Sequence, residues 1–131
     1  MVAAFVILIG CRSYLSYDRS ATSDIPFYKR RPPNMEKAVI INATGPQLDA
    51  KYYEIMGKIK SEVGNVSVFG NHCKDAIDTL RQEAEVAGAD ALINVSCTSG
   101  KYDAEASGTA ITFKDREEAL KVLKDIQAIL E

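Results

Sequence analysis

Tryptophan is absent from this 131-residue chain, and histidine occurs once, as His72. A His-rich metal site or a Ser-His-Asp triad is therefore not expected, because both chemistries draw on imidazole. The nucleophile motif G-x-S-x-G is missing, and Ser96, Ser99 and Ser107 have no histidine near them in sequence. Neither C-x-x-C nor H-x-x-x-H occurs. Gly64, Gly70, Gly88 and Gly100 stand singly, as turn and cap glycines do, so no loop cradles phosphate. Among the carboxylates, Glu83 and Glu85 would face different ways on a helix. Asp75 and Asp78 share a face but read as a solvated surface pair. A net charge of −2 offers no basis for nucleic-acid binding. These absences together lead to the expectation of a protein that is not an enzyme and needs no cofactor.

What is present begins at the N-terminus. Residues 1–10 are apolar or small and end in Leu8-Ile9-Gly10-Cys11, the spacing of a bacterial lipoprotein cleavage box. Gly10 is small enough for a signal peptidase, and Cys11 would carry the acyl chains. Such a run is too short to span about 30 Å of hydrocarbon, so removal is expected rather than retention. No Lys or Arg precedes Cys11, and the alternative is a core strand that ends in Cys. Arg12, where an inner-membrane lipoprotein of enterobacteria would carry Asp, resembles an outer-membrane address. Residues 12–36 look like a flexible tether. They hold four serines, the basic run Lys29-Arg30-Arg31 and the pair Pro32-Pro33, which favours polyproline II. The basic run could meet anionic lipid or a partner, or simply be solvated.

The remaining residues, 37–131, suit a single domain, with 47% of the chain hydrophobic and 26% charged. Residues 38–41 are a short β-branched run. From Tyr52 to Val63 the pattern alternates, with Tyr53, Ile55, Gly57, Ile59 and Val63 expected on the core side. Residues 66–69 are a brief apolar continuation. A helix follows, with Asn71 as N-cap, Asp75 in the first turn, a stripe of Ile77, Leu80, Ala84 and Ala87, and Gly88 as C-cap. Residues 91–97 read as a buried strand with Ala91, Ile93, Val95 and Cys97 on one face. After a polar loop over 98–103, residues 108–113 form the answering strand of a hairpin. The last helix, 115–130, opens on the Asp115/Glu118 capping pair. Its apolar face comprises Ala119, Val122, Leu123, Ile126, Ile129 and Leu130. The expected fold is α+β: a small mixed or antiparallel sheet of four to five strands, one helix packed on it, and an extra C-terminal helix.

With Cys11 assigned to lipid, Cys73 and Cys97 remain, 24 positions apart. In an exported protein an even remainder favours a disulfide. Two inert thiols, or a zinc or copper site using His72, Cys73 and Cys97, are the alternatives.

Four segments carry a resemblance. They are Ile41-Asn42-Ala43-Thr44-Gly45 leading to residues 53–59, the helix 76–87, Gly88-Ala89-Asp90-Ala91 running into residues 92–95, and Gly108-Thr109-Ala110-Ile111. Their order resembles the YbjQ-like family, labelled heavy-metal-binding, over residues 39–113. With the lipobox and the basic, Pro-containing segment, the chain is similar to its exported branch, the Rcs envelope-stress sensor lipoproteins (RcsF-like). The resemblance implies a lipid-anchored envelope protein facing the periplasm or the cell surface, binding other envelope proteins in stress sensing. It also implies cysteine partners for Cys73 and Cys97 in the loop after the third strand. Residues 101–106 contain none, so pairing Cys73 with Cys97 would depart from the family. The metal label finds no ligand set here. Ring-forming relatives imply homo-oligomers, whose assembly the C-terminal helix would cap or block. On the residues themselves the turn at 88–91 is architectural: Gly88 ends the helix, Ala89 and Ala91 allow a tight reversal, and Asp90 bonds nearby amides.

Overall fold

The computed structural model describes residues 18–64, 72–100 and 102–130. The expectations for the signal segment, Cys11, residues 12–17, the apolar run 66–69 and the Asn71 cap lie outside these residues. Five strands form one sheet: β1 (Asp18–Ser23), β2 (Val39–Asn42), β3 (Tyr53–Gly64), β4 (Ala91–Ser99) and β5 (Ala104–Phe113). Two helices accompany them, α1 (His72–Val86) and α2 (Arg116–Leu130). The strand order is β1-β3-β5-β4-β2, antiparallel throughout except that β2 runs parallel to β4. The expected α+β fold is the one formed.

Helix α1 covers one face of the sheet. Ala76, Leu80 and Ala84 pack on Ile59 and Val63 of β3, Leu92 and Val95 of β4, and a row of small residues on β5, Ala104, Ala106 and Ala110. Short β5 side chains let the helix sit close. A Cβ on Gly108 would already stand 3.4 Å from Leu80 Cδ2. The buried Ser61 hydroxyl donates to the Ala76 carbonyl at 2.6 Å and ties β3 to the helix. On the opposite face Ala119 and Leu123 of α2 pack with Ile41, Ile93, Ile111 and Phe113. The Glu118 amide donates to Asp115 Oδ1 at 3.2 Å, so α2 starts at the expected cap. A 15-residue helix with this apolar stripe is marginal alone, and the sheet supplies its partner surface.

Two strand faces differ from the alternation expected. The β3–β5 register slips between Ile55 and Gly57, making Met56 an extra residue. A one-residue bulge exchanges the two faces, so Met56 is buried and Ile55 is left 55% exposed. In β4 the register slips between Ile93 and Ser96, and Asn94 takes φ +53°. Asparagine tolerates this left-handed conformation. As a result Ala91 and Ile93 face α2, whereas Leu92 and Val95 face α1. Strand β5 also begins at Ala104, four residues before the expected start.

The larger correction concerns the tether. From Asp18 onward, residues 12–36 belong to the fold. Strand β1 pairs with β3 from Asp18 opposite Gly64 to Ser23 opposite Ile59. Asp24 continues the pairing, its N–H donating to the Lys58 carbonyl at 3.0 Å. Ile25 is buried against Gly57, where a Cβ would come within 2.9 Å of the Ile25 Cα. The chain then straps across the end of α1. Helix ends leave carbonyls without partners, and the strap supplies donors. Arg31 N–H donates to Ala87 O at 3.0 Å and Asn34 N–H to Glu85 O at 2.8 Å. Between them stand Pro32 and Pro33, which have no N–H to satisfy.

Gly88 sits where strap and helix meet. Its φ is +84°, and Ala89 N–H reaches Ala84 O while Gly88 N–H reaches Glu85 O, a Schellman closure. A Cβ there would stand 2.6 Å from Arg31 Cβ and 2.7 Å from Pro32 O. Gly88→Ala is expected to lower unfolding stability by about 2–3 kcal/mol in urea titration, from left-handed strain plus displacement of the strap.

Candidate functional site

The predicted turn Gly88-Ala89-Asp90-Ala91 is brought together with distant parts of the chain, not only with nearby amides. Asp90 Oδ2 accepts the Phe113 amide at 2.9 Å, and Oδ1 accepts from Arg116 Nη1 at 2.7 Å. The same guanidinium pairs with Glu36 of the strap through Nη2. Asp90's own N–H donates to Ile111 O, and its carbonyl accepts the first amide of β2, from Val39. Asn34 Nδ2 donates to Ala89 O at 2.9 Å, and Glu85 Oε2 accepts the Ala38 amide. Strap, α1, β2, β5 and α2 therefore meet at one turn. Asp90, expected to bond nearby amides, makes bonds that reach as far as Phe113 and Arg116.

At the other end of α1, Cys73 and Cys97 form a disulfide with a Cα separation of 5.9 Å. It ties the first turn of the helix to the end of β4. Both sulfurs of the alternative metal set are thereby used, and neighbouring His72 is buried in the helix start. Among the described residues no group of three His, Cys, Asp or Glu side chains could hold a metal ion. Closing a loop of this size contributes about 3 kcal/mol in the chain-entropy account. Reduction, or the pair Cys73→Ser with Cys97→Ser, is expected to lower the urea midpoint by a corresponding amount with the same β-sheet circular dichroism.

Among the described residues, the sheet face carrying α2 is covered only at one end. The rest is open and polar, forming a shallow groove of about 580 Å³ lined by Thr22, Lys58, Lys60, Asn94, Ser107 and Thr109 among others. Register explains the composition: Thr22 stands opposite Lys60, Lys60 opposite Ser107, and Ser107 opposite Ser96. Ser96 and Ser107 hydroxyls approach to 3.4 Å. Their strand neighbours Val95 and Ala106 face α1, so the sheet lies between these hydroxyls and His72, which starts α1. Such a surface offers hydrogen bonds to a polar partner. Sequence reasoning missed Thr22 and Ser23 as part of it, because a Ser/Thr-rich stretch without apolar alternation resembles a linker.

The Lys60 ammonium bonds Glu105 at 2.7 Å, and that hydrogen bond, with the attraction of the carboxylate, raises the Lys60 pKa above the ordinary lysine value. A raised lysine pKa gives stability that is present at neutral pH and lost as pH rises through the raised value. Both side chains are half exposed, so the gain is small. An NMR titration of the Lys60 side chain should find it titrating above the ordinary lysine value, returning toward that value in Glu105→Gln.

The class defined by these features is a five-stranded mixed sheet with a helix on each face, stapled by one disulfide. No protein-family profile matches the chain, and no curated protein does. Among solved structures it is similar in fold to a Francisella virulence factor, FvfA, in its orthorhombic crystal form. The TM-score is 0.53 at 14% identity, over 75% of this chain and 100% of that one. Among the described residues no helix is long and apolar enough to cross a membrane.

Proposed function

We propose that this chain is a bacterial envelope lipoprotein, anchored through Cys11, whose globular domain binds other envelope proteins in stress sensing, in the manner of the RcsF-like branch it resembles. The observation that carries the reading is the division of labour among three cysteines. Cys11 closes a lipobox after an apolar run, and Cys73 and Cys97 are joined to one another. A structural disulfide fits an oxidising compartment such as the periplasm. The open polar sheet face gives such a domain a surface for protein contact, and binding rather than bond-making is its proposed work.

The fold changes how such a protein would act. A leash of 25 residues could carry its domain far from the membrane. Here the sheet starts at Asp18, only seven peptide steps after Cys11, a reach of at most about 25 Å. The domain would work close to the bilayer.

Intact mass of the protein from its native envelope, with and without reductant, tests the reading. The expected species begins at Cys11, carries three acyl chains and gains two hydrogens on reduction. A chain starting at Met1 with free thiols would overturn it and leave a metal-binding protein using His72, Cys73 and Cys97 as the reading to pursue.

A further inference from the structure

The strap across the end of α1 presents side chains that a protein in water does not ordinarily display together. A single 3-10 turn, Phe27–Lys29, holds Phe27 92% exposed and Tyr28 81% exposed. Met35 is 96% exposed beside Asn34, whose amide bonds the end of α1, and the neighbouring helix residue Val86 is also exposed. Lys29, Arg30 and Arg31 follow the aromatic pair directly. No ion pair engages any of the three among the described residues. The acidic group lining the shallow pocket between them is Glu54, and Lys29 Nζ turns instead to the Ile55 carbonyl at 3.4 Å.

The display is held firmly. On one side Ile25 is buried against β3, and on the other Arg31 N–H is bonded to the helix end. Aromatic and apolar side chains beside a run of cations match the chemistry of a membrane interface. There the rings sit at headgroup depth and each cation adds attraction to anionic lipid. Phe27 projects from the turn, and Tyr28 shares with the three cations only the shallow, solvent-open pocket that Glu54 also lines.

We propose that this pole, Phe27, Tyr28 and Lys29 through Arg31 with Met35 and Val86, docks on an anionic phospholipid bilayer. The inference takes its setting from the lipid-anchored reading. The pole lies at the end of the sheet opposite Asp18, at most about 30 Å from it along nine residues of chain. A leash of about 25 Å therefore lets the domain lie along the bilayer with anchor and pole both in contact. Docking would fix the orientation of the domain and hence which part of the open polar face its partners meet.

The absence of tryptophan supplies the test. Phe27→Trp places the chain's sole indole at an exposed site, and Leu120→Trp on α2 provides a second position as control. Each full-length variant is mixed with vesicles of phosphatidylglycerol or of phosphatidylcholine carrying brominated acyl chains. The expected result is a blue shift and quenching of the indole at position 27 with phosphatidylglycerol only, with the control at position 120 unaffected. Adding Lys29→Gln and Arg30→Gln should weaken that response roughly 30-fold, the loss of two cations at an anionic surface. An indole at position 27 that stays solvated overturns the proposal, whether the chain floats free or sediments with the vesicles through its N-terminus. Equal quenching at both positions overturns it too, and a solvated pole would leave an acidic protein surface as its partner. Because the readout is local to position 27, it fails or succeeds independently of the acylation of Cys11.

Discussion

Everything in this fold converges on the carbonyl end of helix α1. A helix terminus needs donors, and here they come from a segment some fifty residues earlier in the chain, the strap carrying Arg31 and Asn34. Asp90, two residues past Gly88, then accepts from the end of β5 and from the first residue of α2. Without that turn, β2 would lose its first ladder bond, α2 its anchor to the sheet, and the strap its place. A left-handed glycine and one carboxylate thus organise contacts that no hydrophobic surface could direct, since burial is non-directional.

The two faces of the sheet divide the labour. Under α1, small β5 residues and larger β3 and β4 residues interlock in a continuous core. Under α2 the apolar cluster is smaller and occupies one end, leaving a polar remainder rich in hydroxyls and paired charges. The bulges at Met56 and Asn94 create this asymmetry by exchanging the faces of β3 and β4 partway along. One face therefore carries most of the apolar core, and the other keeps a polar surface among the described residues.

Placement of the N-terminal residues shapes the functional picture most. With β1 in the sheet, the residues from Asp18 onward belong to the domain, and the stretch between the proposed lipid site at Cys11 and the sheet is a few residues long. The basic run becomes a presented surface rather than a solvated spacer. A lipid anchor at Cys11 and a firmly held cationic, aromatic pole are mutually consistent proposals, because both would keep the domain at a membrane surface.

Much of the architecture was legible from local chemistry. Gly88 as a helix stop, Asp115 as a helix start, the amphipathic face of α2 and the alternation of most of β3 each arise within a few residues of chain, where periodicity and capping report directly. The Cys73–Cys97 bridge was foreseen by counting, with other thiol states left open beside it. Strand β1 was not legible, because its stability resides in a backbone ladder to β3 and its polar side chains show no apolar alternation. The fates of Ile55 and Met56 were hidden for a related reason, since a bulge shifts the register against a partner strand some fifty residues away. The meeting of Glu36, Asp90 and Arg116 had no local signal at all. Its members are separated by up to 80 residues, and only the folded path of the chain brings one carboxylate from the strap and one from the turn to the same guanidinium.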